Sequence, residues 1–210
     1  MLWGGHSGGL ELRQSEDGGT RLQGRFPYNK RAVLSDGGRT GRPRKEVIAS
    51  KAFSYRLDLP KGPPENDIHL LVGHSYDRPL ASRNAGTLLL DDADDALTFT
   101  AIITPDMQRV SYVSDLLGAV SAGLILGISP GFRIPPERAV KDAETIEDEG
   151  HDPENGAHNA IIRTIWAALL YELSLVTRPA YPEAQVEARN WQPGCEHQPQ
   201  SITHLNRWRA

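Results

Sequence analysis

Residues 86–103 are the stretch that most narrows what this chain can fold into. Two apolar arms, Gly86-Thr87-Leu88-Leu89-Leu90 and Ala96-Leu97-Thr98-Phe99-Thr100-Ala101-Ile102-Ile103, flank an acidic turn from Asp91 to Asp95. The second arm alternates apolar and polar side chains with period two. That pattern puts one face in a core and the other in water, so the segment predicts a β-hairpin. Weaker versions of the same signal recur along the chain. Leu22, Gly24, Phe26 and Tyr28 alternate with polar residues, and Ala32-Val33-Leu34 is a short apolar run before the turn formers Asp36-Gly37-Gly38. A basic loop from Arg39 to Lys45 leads into Glu46-Val47-Ile48, and Ile68 to Val72 reads as a strand ending at Gly73-His74. Ile161 to Val176 is rich in β-branched and aromatic residues and predicts two strands joined at a bend, stopped by Arg178-Pro179-Ala180-Tyr181-Pro182. With 20 Gly and 15 Pro in 210 residues, the elements must be short and the loops many.

One helix stands out. Thr104-Pro105-Asp106 combines a capping hydroxyl, a proline at the first helical position and an acid in the first turn. Met107, Val110, Val113, Leu117 and Val120 then form one apolar stripe, and Gly123 suits a left-handed stop, so a single helix is expected up to there. Leu124 to Ile128 is expected as a strand running into Ser129-Pro130-Gly131-Phe132. Residues 135–159 lack any period and are expected as a long mobile loop. Residues 1–20 are expected as a flexible extension, 21–189 as one domain, and 190–210 as a polar tail.

Composition excludes several classes of function. A net charge of −4 argues against a general nucleic-acid binder. Basic residues concentrate before residue 46 and acids in 141–154, blocks that ordinarily are solvated loops or tails. The single cysteine, Cys195, rules out an internal disulfide and a cysteine-based metal site. No apolar run approaches the roughly 18–20 residues that span a bilayer, and the N-terminus lacks the apolar core of a signal peptide, so a cytoplasmic setting is expected. His151 and His158 with Asp152 and Glu154 have no regular element to hold them as metal ligands. No phosphate-cradling glycine loop precedes a helix, and no cofactor is expected.

Serine hydrolysis needs a hydroxyl, a base beside it and a group that orients the base. Ser129 ends an apolar strand between Gly127 and Gly131, where small neighbours let a substrate backbone approach and a main-chain N–H face an oxyanion. Most serines at such junctions are structural, so the context alone does not single it out. Five of the 7 histidines fall in the expected ends or the expected loop, leaving His69 and His74. His69 sits mid-strand among apolar neighbours, as a packed histidine would. His74 follows Gly73 at a strand end and can face a cleft as a base at neutral pH. Glu172 interrupts an apolar strand. Either that face is wet, or the carboxylate is buried and has a partner such as an imidazole N–H.

In order, these segments resemble the prohead protease family of tailed bacteriophages over about residues 22–189. The resemblance rests on Gly24-Arg25-Phe26-Pro27-Tyr28-Asn29, Glu46-Val47-Ile48 leading to Ala52-Phe53, and Leu71-Val72-Gly73-His74 with Pro79-Leu80-Ala81. Further along it rests on Gly86-Thr87-Leu88 with Ala96-Leu97-Thr98-Phe99, on Gly127-Ile128-Ser129-Pro130-Gly131-Phe132, and on Glu172 to Pro182. It implies an α+β, mainly β fold, a closed or partly open β-barrel with flanking helices like the herpesvirus maturation protease. It also implies a serine endopeptidase that cuts scaffold and capsid segments, and often itself, inside a procapsid in the bacterial host cytoplasm. The implied partners are the phage major capsid protein with its scaffold segment and a second copy of the chain, with no specific nucleic acid and no membrane. His74 matches the family histidine and Ser129 the family serine. Glu172 matches an acid of the last motif and is expected as the orienting group, with His151 and His158 as rivals by analogy with the herpesvirus enzyme. Lys51 stands where the family often has Gly, and the usual Asn before the histidine is absent. The alternative expectation is a catalytically inactive assembly module of the same fold; a third is a cellular serine peptidase.

Overall fold

The computed structural model describes residues 11–14, 18–39, 41–125, 127–152, 154, 157–179 and 181. In chain order its strands begin with β1 (Glu11–Gln14), β2 (Thr20–Pro27), β3 (Arg31–Ser35), β4 (Arg44–Ile48), β5 (His69–Val72), β6 (Ser75–Ser82) and β7 (Leu88–Asp92). They continue with β8 (Ala96–Ile103), β9 (Gly127–Arg133), β10 (Glu144–Asp148), β11 (His151–Asp152), β12 (Ala157–His158), β13 (Ile161–Ile165) and β14 (Leu169–Val176). The helices are α1 (Ser54–Leu57), α2 (Pro105–Gln108) and α3 (Ser111–Ser121).

The hairpin expected at 86–103 is β7–β8, and its alternation is read out as burial: Leu97, Phe99, Ala101 and Ile103 face the core. β2 pairs with the other edge of β8 in antiparallel register and β1 adds beyond it, giving sheet I in the order β1-β2-β8-β7. Sheet II runs β10-β13-β4-β3 and contains one parallel pair, β13 with β4. Sheet III runs β6-β5-β14-β9, with β14 parallel to β5 and antiparallel to β9. Phe26 and Phe53 are fully buried where the layers meet, with Tyr181 and Phe132 edge-on against them at ring-centroid distances of 5.0 and 5.9 Å. Apolar burial of this kind supplies the main drive for the fold.

The fold is mainly β, as expected, but the barrel is not closed. The three sheets stay separate, each with its own two edge strands. Alternation fixes which face of a strand is buried; it does not make the last strand hydrogen-bond to the first, which closure requires. The expected helix is also divided. Thr104 caps α2 by accepting from the Met107 N–H, but Val110 turns extended at ψ 128° and α3 starts anew at Ser111. α3 ends in a Schellman motif, with Gly123 N–H donating to the Val120 carbonyl and Leu124 N–H to that of Ala119. That motif absorbs Leu124, so the strand expected from there begins only at Gly127.

Residues 135–159 are not an unbroken loop. β10 adds as an edge strand to β13, and β11 pairs with β12. Part of the expected N-terminal extension likewise forms β1. The basic and acidic blocks meet instead of standing apart in water. Arg42 pairs with Asp148 at 2.6 Å, and Glu149 takes Lys45 at 2.5 Å and Arg31 at 3.3 Å. The tail at 190–210, with Cys195, His197 and His204, lies outside the described residues, as does His6.

Candidate active site

The candidate site lies on sheet III around β14, one of its two inner strands. In an antiparallel pair, residues directly opposite share a face, and so do positions two apart on one strand. Ser129 of β9 lies opposite Ser174, and Gly131 lies opposite Glu172. Ser129, Gly131, Glu172 and Ser174 therefore stand side by side on one face. On the other side of β14, β5 runs parallel and ends in the hairpin turn to β6, where Val72 pairs with Ser75. The two turn residues, Gly73 and His74, both have positive φ, 59° and 62°, as a two-residue type I′ turn demands. Gly73 N–H donates to the Leu175 carbonyl at 3.1 Å, which draws the turn over β14.

This arrangement brings His74 onto Glu172. His74 Nδ1 lies 2.7 Å from Glu172 Oε1, with the imidazole about half exposed and the carboxylate buried. Glu172 Oε2 accepts from the Ser174 hydroxyl at 2.6 Å, and Ser174 Oγ in turn accepts from the His74 main-chain N–H at 2.9 Å. Burying a carboxylate is costly unless it is hydrogen-bonded, and both of its oxygens are. An imidazole that donates from Nδ1 to a carboxylate keeps its lone pair on Nε2. Among the described residues, neither His74 Nε2 nor Ser129 Oγ takes part in a hydrogen bond. His69 lies opposite Glu172 on β5, with Nε2 3.6 Å from Asp67 and its ring edge-on to Tyr76. The Tyr76 hydroxyl is held above its ordinary value, by desolvation first and then by the Glu172 charge, with Arg133 acting in the opposite sense.

The glycines around Ser129 also have a packing role. A Cβ on Gly131 would land on Glu172 Oε1, and one on Gly127 would sit 2.5 Å from Pro179 Cγ. Both are small to admit this chain's own side chains. Of the rivals for the orienting place, His151 and His158 face each other across the exposed β11–β12 ladder, and neither is bonded to His74. Ser174 was not singled out from the sequence. Its signal is a second polar residue two places after Glu172, hence on the same face of a strand otherwise apolar there. No group of three or more potential metal ligands occurs among the described residues.

A strand-end histidine tied to a buried carboxylate, with a serine one strand away, sits on a mainly β scaffold. The model of the caudovirus prohead serine protease family matches residues 11–196, and the chain belongs to that family of serine peptidases. Comparison with curated proteins and with solved structures gives no match.

Proposed function

We propose that the chain is a maturation protease of a tailed phage or phage-derived particle that cuts scaffold and capsid segments, and itself, within the assembling procapsid. Ser129 is the nucleophile, His74 the general base and Glu172 the group that orients the base. The observation that carries this reading is the 2.7 Å bond between His74 Nδ1 and Glu172 Oε1, made by a histidine on a turn whose Nε2 is left free. That tautomer is the one a base needs, and the carboxylate stabilises the imidazolium that forms.

Nε2 takes the proton of Ser129 as Oγ attacks the peptide carbonyl carbon, and the carbonyl oxygen becomes an oxyanion. Main-chain N–H groups near Ser129 hold that oxyanion, with Pro130 itself supplying none. The imidazolium then protonates the leaving amine as the C–N bond breaks. Water, deprotonated by Nε2, hydrolyses the acyl-enzyme and returns Ser129 to its resting state. Ser129 and His74 come into hydrogen-bonding reach when substrate binds, the usual course for catalytic contacts that are slack in the free enzyme. The acting compartment is the procapsid interior in the host cytoplasm; no helix among the described residues is long and apolar enough to cross a membrane.

Ser129→Ala is expected to leave the fold intact and abolish trimming of a co-expressed capsid protein carrying its scaffold segment, scored by mass spectrometry. A fluorophosphonate probe should label Ser129 in the parent chain and nothing in the variant. Normal trimming by Ser129→Ala would overturn the assignment and favour an inactive assembly module.

A further inference from the structure

We infer that Ser174 is a positioning residue for the peptidase reaction, acting on the base from two directions through one hydroxyl. The inference rests on the reading of His74 as base and Glu172 as its orienter. Ser174 has no exposed surface, and its hydroxyl is the shared point of a closed loop of hydrogen bonds. Its O–H donates to Glu172 Oε2, its oxygen accepts from the His74 main-chain N–H, and His74 Nδ1 meets the other oxygen of the same carboxylate.

Each arm answers a separate physical need. A non-glycine residue at φ 62° is in a sparsely populated region, and a base held on such a turn drifts unless its backbone is tied down. The bond from His74 N–H to Ser174 Oγ ties it to β14, the strand that carries Glu172. The second need is the carboxylate's. With Oε2 held by Ser174, Glu172 presents Oε1 to the imidazole in one orientation, and Gly131 leaves the room for it to do so. A hydroxyl fills both needs at once because it is donor and acceptor together. Alanine is neither.

The electrostatic consequence has a definite sign. Ser174 stabilises the charged carboxylate. Without it, the Glu172–His74 pair binds its first proton more readily. The acid limb of the activity profile, which reports loss of the free Nε2 base, then moves to higher pH. The other charged and titratable groups around the pair are His69, Tyr76, Tyr171 and Arg133, and none of them is altered by the substitution.

The experiment is the rate of fluorophosphonate labelling of Ser129 in the full chain, measured against pH, for the parent, Ser174→Ala, Ser174→Thr and Glu172→Gln. Ser174→Ala should label roughly ten- to hundred-fold more slowly, part of the 10²–10⁴ that a positioned base supplies, with its acid limb at higher pH. Ser174→Thr keeps the hydroxyl and should restore both rate and limb. The Ser174→Ala, Glu172→Gln double variant should label no more slowly than Glu172→Gln alone, as expected of residues acting in one unit. Should Ser174→Ala melt too early to assay, Ser174→Cys fills the same space with a weak donor and should show the same two changes. An unchanged rate and limb in folded Ser174→Ala overturns the inference. So does a slower rate with an unmoved limb that threonine fails to rescue. A parent chain that does not label at all overturns the underlying assignment of Ser129 instead.

Discussion

Two buried glutamates sit on inner strands of this molecule, and they are satisfied in opposite ways. Glu46, on β4 of sheet II, accepts from the Tyr181 hydroxyl at 2.9 Å and from Arg163 at 3.2 Å; Arg163 also reaches Glu144 at 2.6 Å. Its partners hold their protons at any ordinary pH: the guanidinium is always charged, and burial, then the charge of Glu46, pushes the tyrosine hydroxyl well above its usual range. Glu172, on β14, has no permanent cation among the contacts of its carboxylate. It is met by a serine hydroxyl and a titratable imidazole. The first network is closed, and it ties Tyr181 onto sheet II. The second leaves one ring nitrogen free for chemistry. A buried acid makes a clamp beside a fixed charge, and under the proposed mechanism it orients the base beside a titratable ring.

Breaking the second network should cost rate, and breaking the first should cost stability. Glu172→Gln is expected to lower cleavage roughly a thousandfold, by favouring the wrong imidazole tautomer, while the melting temperature changes little; steady-state kinetics and a thermal melt decide it. Gly131→Ala should follow at about a hundredfold, because its new methyl displaces the carboxylate from His74. Labelling of Ser129, with circular dichroism to monitor the fold, reads that out. Arg163→Met should leave the labelling rate unchanged and lower unfolding free energy by about 1–2 kcal/mol, less than a fully buried pair would lose because Arg163 is partly exposed. Denaturant titration tests it. The smallest effect belongs to Glu149, whose carboxyl is pulled down to about 2 by Lys45 and by the N–H groups of His158 and Ala160. A depressed value in the folded state contributes stability above the ordinary glutamate range, and that stability is lost as pH falls toward 2. Lys45→Met should flatten this acid-side loss in denaturation midpoints taken between pH 5 and 2.

Much of sheet I was legible in the sequence, because β8 has one wet face and one dry face and is joined to β7 by a short turn. β10 was not. It is an edge strand with Ile146 turned to solvent and charged residues beside it, so it carries no alternation to read. The break between α2 and α3 was hidden too, since Val110 continues the apolar stripe while its backbone leaves the helix. His74, Ser129 and Glu172 could be picked out as unusual residues of their local contexts, and the resemblance to prohead proteases gave them roles. The meeting of His74 with Glu172 depends on a parallel pairing between β5 and β14, which no local pattern encodes. Ser174 escaped notice for a related reason: one serine in an apolar strand looks inert until the turn it holds is seen above it.

β14 follows both of its neighbours in the chain, and His74 and Glu172 stand 98 positions apart. A chain emerging from the ribosome exposes the histidine and the serine long before the strand that must lie between them. Joining strands so distant in sequence is slow, because the ends of a long loop have to be brought together before any contact rewards it. The bond between His74 and Glu172 thus waits for β14, which is made only after both strands that flank it.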